Sequence, residues 1–373
     1  LDAHVLSTTQ IHHVQPLFFR LLFKAQLAAG QYQAIIKYEG KFQDWDLRLL
    51  VARAHYNNGT PWRALELCHE IRSAKGEPLH GEVFSLEASI YDWMGNSQQS
   101  LVAFKKALLY TGRNQELKYT LFKKYSLYLD FDLPECQKHM QEAVDYFSSI
   151  SKRQYAEVLH NYGTCLVLSF TSGGIVDLET SEQLLRTICD KEIYYPRNSI
   201  AIYYAFHQQL KKAIAIWEGI DCGNIEIDFC RLAIQNNLLC AYIKIGRLDS
   251  AEHLRKNLEK QIFALSSVKH RLDLQHPIRQ YYLNCGLLSL ARKQEHDALT
   301  YFERALECSK YPSTMLYLIK SEINRLQESL GNPLLKRLRN ALEEKRLGQP
   351  NALESYFAKH RVYFCIIMFW GDC

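Results

Sequence analysis

Tyr281 to Leu290 reads YYLNCGLLSL, and Ala291 to Glu307 continues as ARKQEHDALTYFERALE. The first stretch predicts an apolar helix carrying Tyr282, Cys285 and Gly286, and the second a helix marked by Ala298, Phe302 and Ala305. Gly286 and Ala298 lie twelve residues apart. That spacing lets two antiparallel helices approach where both lack bulk, while Phe302 fills the adjacent gap. The same offset joins Ala88 to Ser100 (then Phe104 and Ala107), Ala201 to Ala213 (then Trp217), Ala52 to Ala64, and Leu239 to Ala251. Gly59, Gly95 and Gly246 each fall five residues before the second small position, where a turn is needed. Gly30 and Ala34 form a tighter first copy, and sequence near Ala143 and Ser181 supplies two further anchors. Seven intervals over the 264 residues from Ala34 to Ala298 average about 38.

Composition agrees with a helical repeat. The 373 residues are 47% hydrophobic and 23% charged, with only 9 Pro and 17 Gly, which excludes a disordered tail, a collagen-like fibre and a disulfide-stapled miniprotein. A net charge of +5 is far from the basic stripe of a nucleic-acid binder. Eleven Cys occur at irregular spacing and without a CxxC pair, so they read as reduced core thiols of a cytosolic protein. Val362 to Trp370, the longest apolar run, has nine residues and is too short to span a bilayer, and no signal peptide is visible. A start at Leu1 rather than Met sets the expectation of a segment from a longer protein.

With small, aromatic and small positions at these offsets, residues 13 to 310 resemble the tetratricopeptide repeat (TPR), whose unit is 34 residues. Periods here run from 30 to 47; the family's Trp position holds Tyr282, Phe84 or Arg48, and Ser289 stands where a bulky residue is usual. The implied fold is all-α: a right-handed superhelix of antiparallel helix pairs over residues 1–331, then capping helices and an aromatic tail over 332–373. Asn332-Pro333 starts a helix and Pro350 starts or restarts another. Val362 to Trp370, rich in β-branched and aromatic residues, suits a strand or an extended segment that caps the last helices, pairs in a small sheet or docks onto a partner.

A second resemblance rests on four ordered stretches: Tyr155 to Gly163 (YAEVLHNYG), Lys191 to Tyr204 (KEIYYPRNSIAIYY), Gln235 to Gly246 (QNNLLCAYIKIG) and Tyr281 to Leu290. Each carries Asn on a first helix, and the series ends in Arg361 to Asp372 (RVYFCIIMFWGD). This arrangement resembles the C-terminal sensor of bacterial antiviral STAND NTPases. The resemblance implies a cytoplasmic sensor that recognises a folded phage protein, the portal or the large terminase subunit. Oligomerisation and effector activation would then follow elsewhere in the full-length chain. The alternative is a generic TPR adaptor for a host protein or peptide.

Catalytic signatures are missing from the sequence. There is no GxxxxGK[ST]; Gly76 and Gly81 are followed by Glu82 instead of Lys. HExxH, GxSxG and paired zinc spacings do not occur, and Cys136 with His139 has no second pair beside it. No catalytic residue, metal or cofactor is therefore expected, and the fragment is read as no enzyme.

Candidate partner contacts follow from the TPR resemblance, in which first-helix positions 2, 5, 6, 9 and 12 face the concave groove. Counting from the anchors puts Asn237 and Asn284 at position 6 and Asn198 and Asn236 at position 5, with Tyr195, Cys240 and Leu287 nearby. An amide offers donors and an acceptor and can grip a partner's backbone; the alternative is that these Asn bond a neighbouring helix's backbone or a buried water. In the N-terminal repeats the count gives Asp46, Arg53 and Tyr56, then Glu82 and Asp92, with Trp93 one step past. Aromatics and Arg suit protein recognition, although a solvated rim has the same composition. Arg53 is the sole cation at groove positions in the five repeats with clear anchors. The STAND resemblance implies a folded partner met over a wide surface, and the lack of clustered groove cations argues against a terminal-carboxylate site. Lys336, Arg337, Arg339, Lys345 and Arg346 are interrupted by Glu343 and Glu344 and read as a wet helix face, so neither nucleic acid nor membrane is an expected partner.

Overall fold

The computed structural model describes residues 16–74, 80–94, 96–112, 114–125, 134–170, 173–266, 274–308, 314–326, 333–344, 355, 358–360 and 362–365. The chain forms two compact units, Leu1–Leu121 with Trp370–Cys373, and Phe122–Phe369. The expected boundary at 331/332, Gly95 and residues 366–370 of the aromatic run lie outside the described residues.

The first unit contains α1 (Pro16–Ala28), α2 (Tyr32–Ile36), α3 (Trp45–Asn57), α4 (Pro61–Ser73), α5 (His80–Trp93) and α6 (Ser97–Leu109); α7 (Gln115–Tyr125) spans the boundary. Helix starts follow the local sequence. Asp44 accepts from the Leu47 N–H at 3.0 Å to cap α3, Asn96 accepts from Gln99 to cap α6, and Pro61 occupies the first turn of α4. Ala52 and Ala64 are fully buried between α3 and α4. Ser100 turns its smallness into a bond, donating its hydroxyl to the Ala88 carbonyl at 2.8 Å. Phe19, Phe23, Tyr38 and Phe42 form an edge-on and tilted cluster under α1 and α2.

The second unit contains α8 (Pro134–Ser148), α9 (Lys152–Leu168), α10 (Gly174–Ile188), α11 (Tyr194–Phe206), α12 (Leu210–Glu218), α13 (Asp228–Lys244), α14 (Leu248–Ser266), α15 (Gln275–Ala291), α16 (Glu295–Glu307), α17 (Thr314–Leu326) and α18 (Pro333–Glu344). Helices α9 to α16 pack as consecutive antiparallel pairs, with α13 also against α15. The twelve-residue offsets fall inside these pairs. A Cβ on Gly286 would lie 2.3 Å from Phe302 Cε1, so the ring rests directly on the glycine backbone. Gly163 and Gly174 bring α9 and α10 together the same way: a Cβ on either would strike the other's carbonyl oxygen, at 2.7 and 2.4 Å. Ser181 donates to the Ala156 carbonyl at 2.7 Å, as Ser100 does in the other unit.

Several described turns inside the helix pairs use a left-handed residue. Gly59 and Gly246 sit at φ 81° and 78°, and the matching positions in two other pairs hold Gln208 at 60° and Lys293 at 61°. Among the described residues there is no strand, and no helix is long and apolar enough to cross a membrane. The fold is an all-α, TPR-like solenoid of helix pairs, and its C-terminal segment Val362–Cys365 is buried and non-helical.

Candidate functional site

Val362, Tyr363, Phe364 and Cys365 lie against the first helices α11, α13 and α15, far in sequence from all of them. Of the three expectations for this run (capping the last helices, pairing in a small sheet or docking onto a partner), the contacts of Val362–Cys365 show packing on α11, α13 and α15 in the middle of the second unit. Its backbone is held by side-chain amides. Asn237, on α13, accepts from the Cys365 N–H at 2.6 Å through Oδ1 and donates to the Cys365 carbonyl at 2.9 Å through Nδ2. One side chain thus pairs both backbone groups of one residue, as a neighbouring strand would. Asn198, on α11, donates to the same carbonyl at 3.2 Å, and Gln280, on α15, donates to the Tyr363 carbonyl at 3.3 Å.

The amides also fix one another. Asn198 Oδ1 accepts from Asn237 Nδ2 at 2.9 Å and from the Trp217 indole N–H at 3.0 Å, and Gln280 Nε2 donates to Asn237 Oδ1 at 2.9 Å. All three amide residues are fully buried, so these bonds replace water that cannot reach them. Gln280 Oε1 is buried without a hydrogen-bond partner.

Side chains of the segment meet shaped surroundings. Phe364 packs on Trp217 with ring centroids 5.4 Å apart and on Phe206 at 6.3 Å. The Tyr363 hydroxyl lies 2.9 Å from His276 Nε2, and the Cys365 sulfur 3.5 Å from His276 Nδ1. Desolvation, and then the charge of Arg279, pushes His276 down to about 3, so it is neutral at physiological pH. Lys244 donates to the His360 carbonyl at 2.5 Å, just upstream of the segment.

The expected site residues divide into groups. Asn198 and Asn237 meet on the segment. Asn236 and Asn284 brace helices: Asn236 Nδ2 donates to the Leu232 and Pro277 carbonyls at 2.9 and 3.1 Å, and Asn284 Nδ2 to the Asn236 carbonyl at 2.9 Å. Tyr195 is buried, stacked on Tyr194 at 4.5 Å with its hydroxyl 3.9 Å from the Cys230 sulfur. In the other unit Arg53, Tyr56 and Asp92 are half-buried; Asp46 pairs with Arg20 at 2.6 Å, and the Trp93 side chain lies outside the description. Sequence reasoning missed Gln280, His276 and the segment as occupant. The signal for Gln280 was present, since it stands at position 2 counted from Gly286.

No cluster of three or more His, Cys, Asp or Glu able to hold a metal is found among the described residues. Burial pushes the Cys230 and Cys285 thiols up to about 12 and Cys240 to about 11, the reverse of what an activated nucleophile needs.

No protein-family model matches the chain, and no curated protein sequence matches it. Among solved structures, a Rap protein complexed with competence and sporulation factor aligns over 92% of this chain and 99% of its own, with a TM-score of 0.56 at 11% identity. At that identity the likeness is one of fold. A tetratricopeptide repeat protein from Parabacteroides merdae ATCC 43184 aligns over 81% of this chain and 100% of its own, with a TM-score of 0.46 at 14% identity.

Proposed function

We propose that the chain is a protein-binding repeat module, and that it acts as the sensor of a bacterial antiphage STAND NTPase, recognising a folded phage portal or large terminase subunit. The observation that carries the protein-binding part is the row of side-chain amides on α11, α13 and α15, which grips peptide backbone through neutral hydrogen bonds. The Rap protein of like fold is found in complex with a factor, which supports the same reading. The sensor part rests on the sequence resemblance, and the effector and nucleotide-binding steps belong to other parts of such a protein.

Titrating purified portal and large terminase separately onto the immobilised chain tests this. A sensor forms a complex with one of them with Kd below about 1 μM, near −8 kcal/mol. Binding to neither refutes the sensor reading. A host protein or peptide bound in their place would establish the adaptor.

A further inference from the structure

We propose that the amide face of α11, α13 and α15 docks an extended, non-terminal segment of a protein partner, with an aliphatic–Tyr–aromatic–small pattern, and that Val362–Cys365 is the resident occupant such a segment displaces. The proposal deepens the protein-binding reading and rests on it.

Three features define what the face accepts. Its grip is on the backbone: Asn237 takes both groups of Cys365, while Asn198 and Gln280 take the Cys365 and Tyr363 carbonyls. Such bonds are indifferent to the side chains of the bound segment, so a chain in trans can make them equally well. Selection then comes from the flanking surroundings. Trp217 and Phe206 take a ring at the Phe364 position, His276 offers a ring nitrogen to a hydroxyl at the Tyr363 position, and the fully buried Cys365 position favours a small side chain. Finally, the two donors on the Cys365 carbonyl are neutral amides, which suits a peptide carbonyl and not a chain-terminal carboxylate.

The resident leaves one feature of the face unused. Gln280 is fully buried, its Nε2 donates to Asn237 and to the Tyr363 carbonyl, and yet its Oε1 has no hydrogen-bond partner. A buried idle acceptor costs stability, and a bound segment with an N–H at that point would recover it. The resident enjoys an effective concentration in the millimolar range because it is tethered. An equal segment in trans therefore competes weakly by itself, and a folded partner supplies the difference through additional surface.

The test uses the full chain and a fluorescent, C-terminally amidated peptide with the sequence of residues 358–365 (AKHRVYFC). Phe364→Gly weakens the resident, so this variant binds the probe about ten-fold or more tighter than wild type does. Adding Asn237→Ala to Phe364→Gly lowers the affinity again by about ten-fold or more, for the lost backbone bonds. A Phe364→Gly chain with the wild-type circular dichroism spectrum that fails to bind the probe overturns the proposal, as does a double variant that binds it undiminished. Should Phe364→Gly lose its helical spectrum, alkylation of the wild-type thiols decides. Cys365 and Cys285 are both fully buried. A displaceable segment alkylates at Cys365 about ten-fold or more faster than at Cys285, through local opening, and equal rates overturn the proposal. Portal or terminase binding without any probe binding overturns the clamp and leaves the sensor standing; probe binding without either phage protein does the opposite.

Discussion

Asn237→Ala is the substitution with the most to lose. Its amide carries four hydrogen bonds, at 2.6 and 2.9 Å on Oδ1 and at 2.9 and 2.9 Å on Nδ2. Three of the partner groups keep another bond: the Cys365 carbonyl to Asn198, Gln280 Nε2 to the Tyr363 carbonyl, and Asn198 Oδ1 to Trp217. The fourth, the Cys365 N–H, loses its 2.6 Å acceptor in a site that excludes water. Loss of that acceptor costs about 1–3 kcal/mol, and thinning the remaining network adds about 1 kcal/mol. The expected loss of about 2–4 kcal/mol is a large share of what a domain has. Urea denaturation followed by circular dichroism reads it as a lower midpoint at unchanged slope. A midpoint within error of wild type would mean that the amide and the segment do not meet in solution.

Asn284→Ala, whose Nδ2 braces the Asn236 carbonyl and whose Oδ1 is already idle, costs only about 1 kcal/mol in the same denaturation assay. Gly286→Ala drives a methyl into the Phe302 ring and lowers stability by about 1–3 kcal/mol; Phe302→Leu in the same chain recovers part of it, and no recovery would dismiss the contact. Lys293→Gly relieves a left-handed backbone at φ 61° and raises stability by about 0.5–1 kcal/mol, whereas a glycine at an ordinary helical position lowers it. His276 has a folded value near 3, below its ordinary 6.5, so its contribution is present above pH 6.5 and is lost as the pH falls towards 3. Arg279, the Tyr363 hydroxyl and the Cys365 thiol face it, and none of them supplies a negative charge in that range. His276→Gln therefore flattens the acid limb of the stability curve by up to about 1 kcal/mol per pH unit, and an unchanged limb counts against the neutral imidazole.

The helix pairs were legible because close approach demands small residues, and small residues at a fixed offset survive as a pattern even when the period wanders. Gly286 over Phe302 and Ser100 on the Ala88 carbonyl are direct consequences of that offset. The turns at Gln208 and Lys293 were hidden, because a left-handed residue without glycine leaves no mark in the sequence. The positions of the amides were likewise legible, and their partners were not. Asn236, bonded to its own helix and to Pro277, and Asn237, bonded to Cys365, are neighbours of identical type whose roles diverge through which face each occupies. What lies over that face depends on where residue 365 travels, 128 positions along the chain, and no local pattern records that path. The aromatic run announced that it must be covered; for Val362–Cys365 the structure supplies α11, α13 and α15 as the cover.

The hold of the amide face on the segment is read by hydrogen exchange at the Cys365 amide. Held by Asn237 Oδ1 at 2.6 Å in a buried site, that amide exchanges at least about a hundred-fold slower than in a free peptide, and Asn237→Ala removes most of the protection. Exchange at the free-peptide rate in the wild-type chain would contradict the account, because the amide face would then hold nothing.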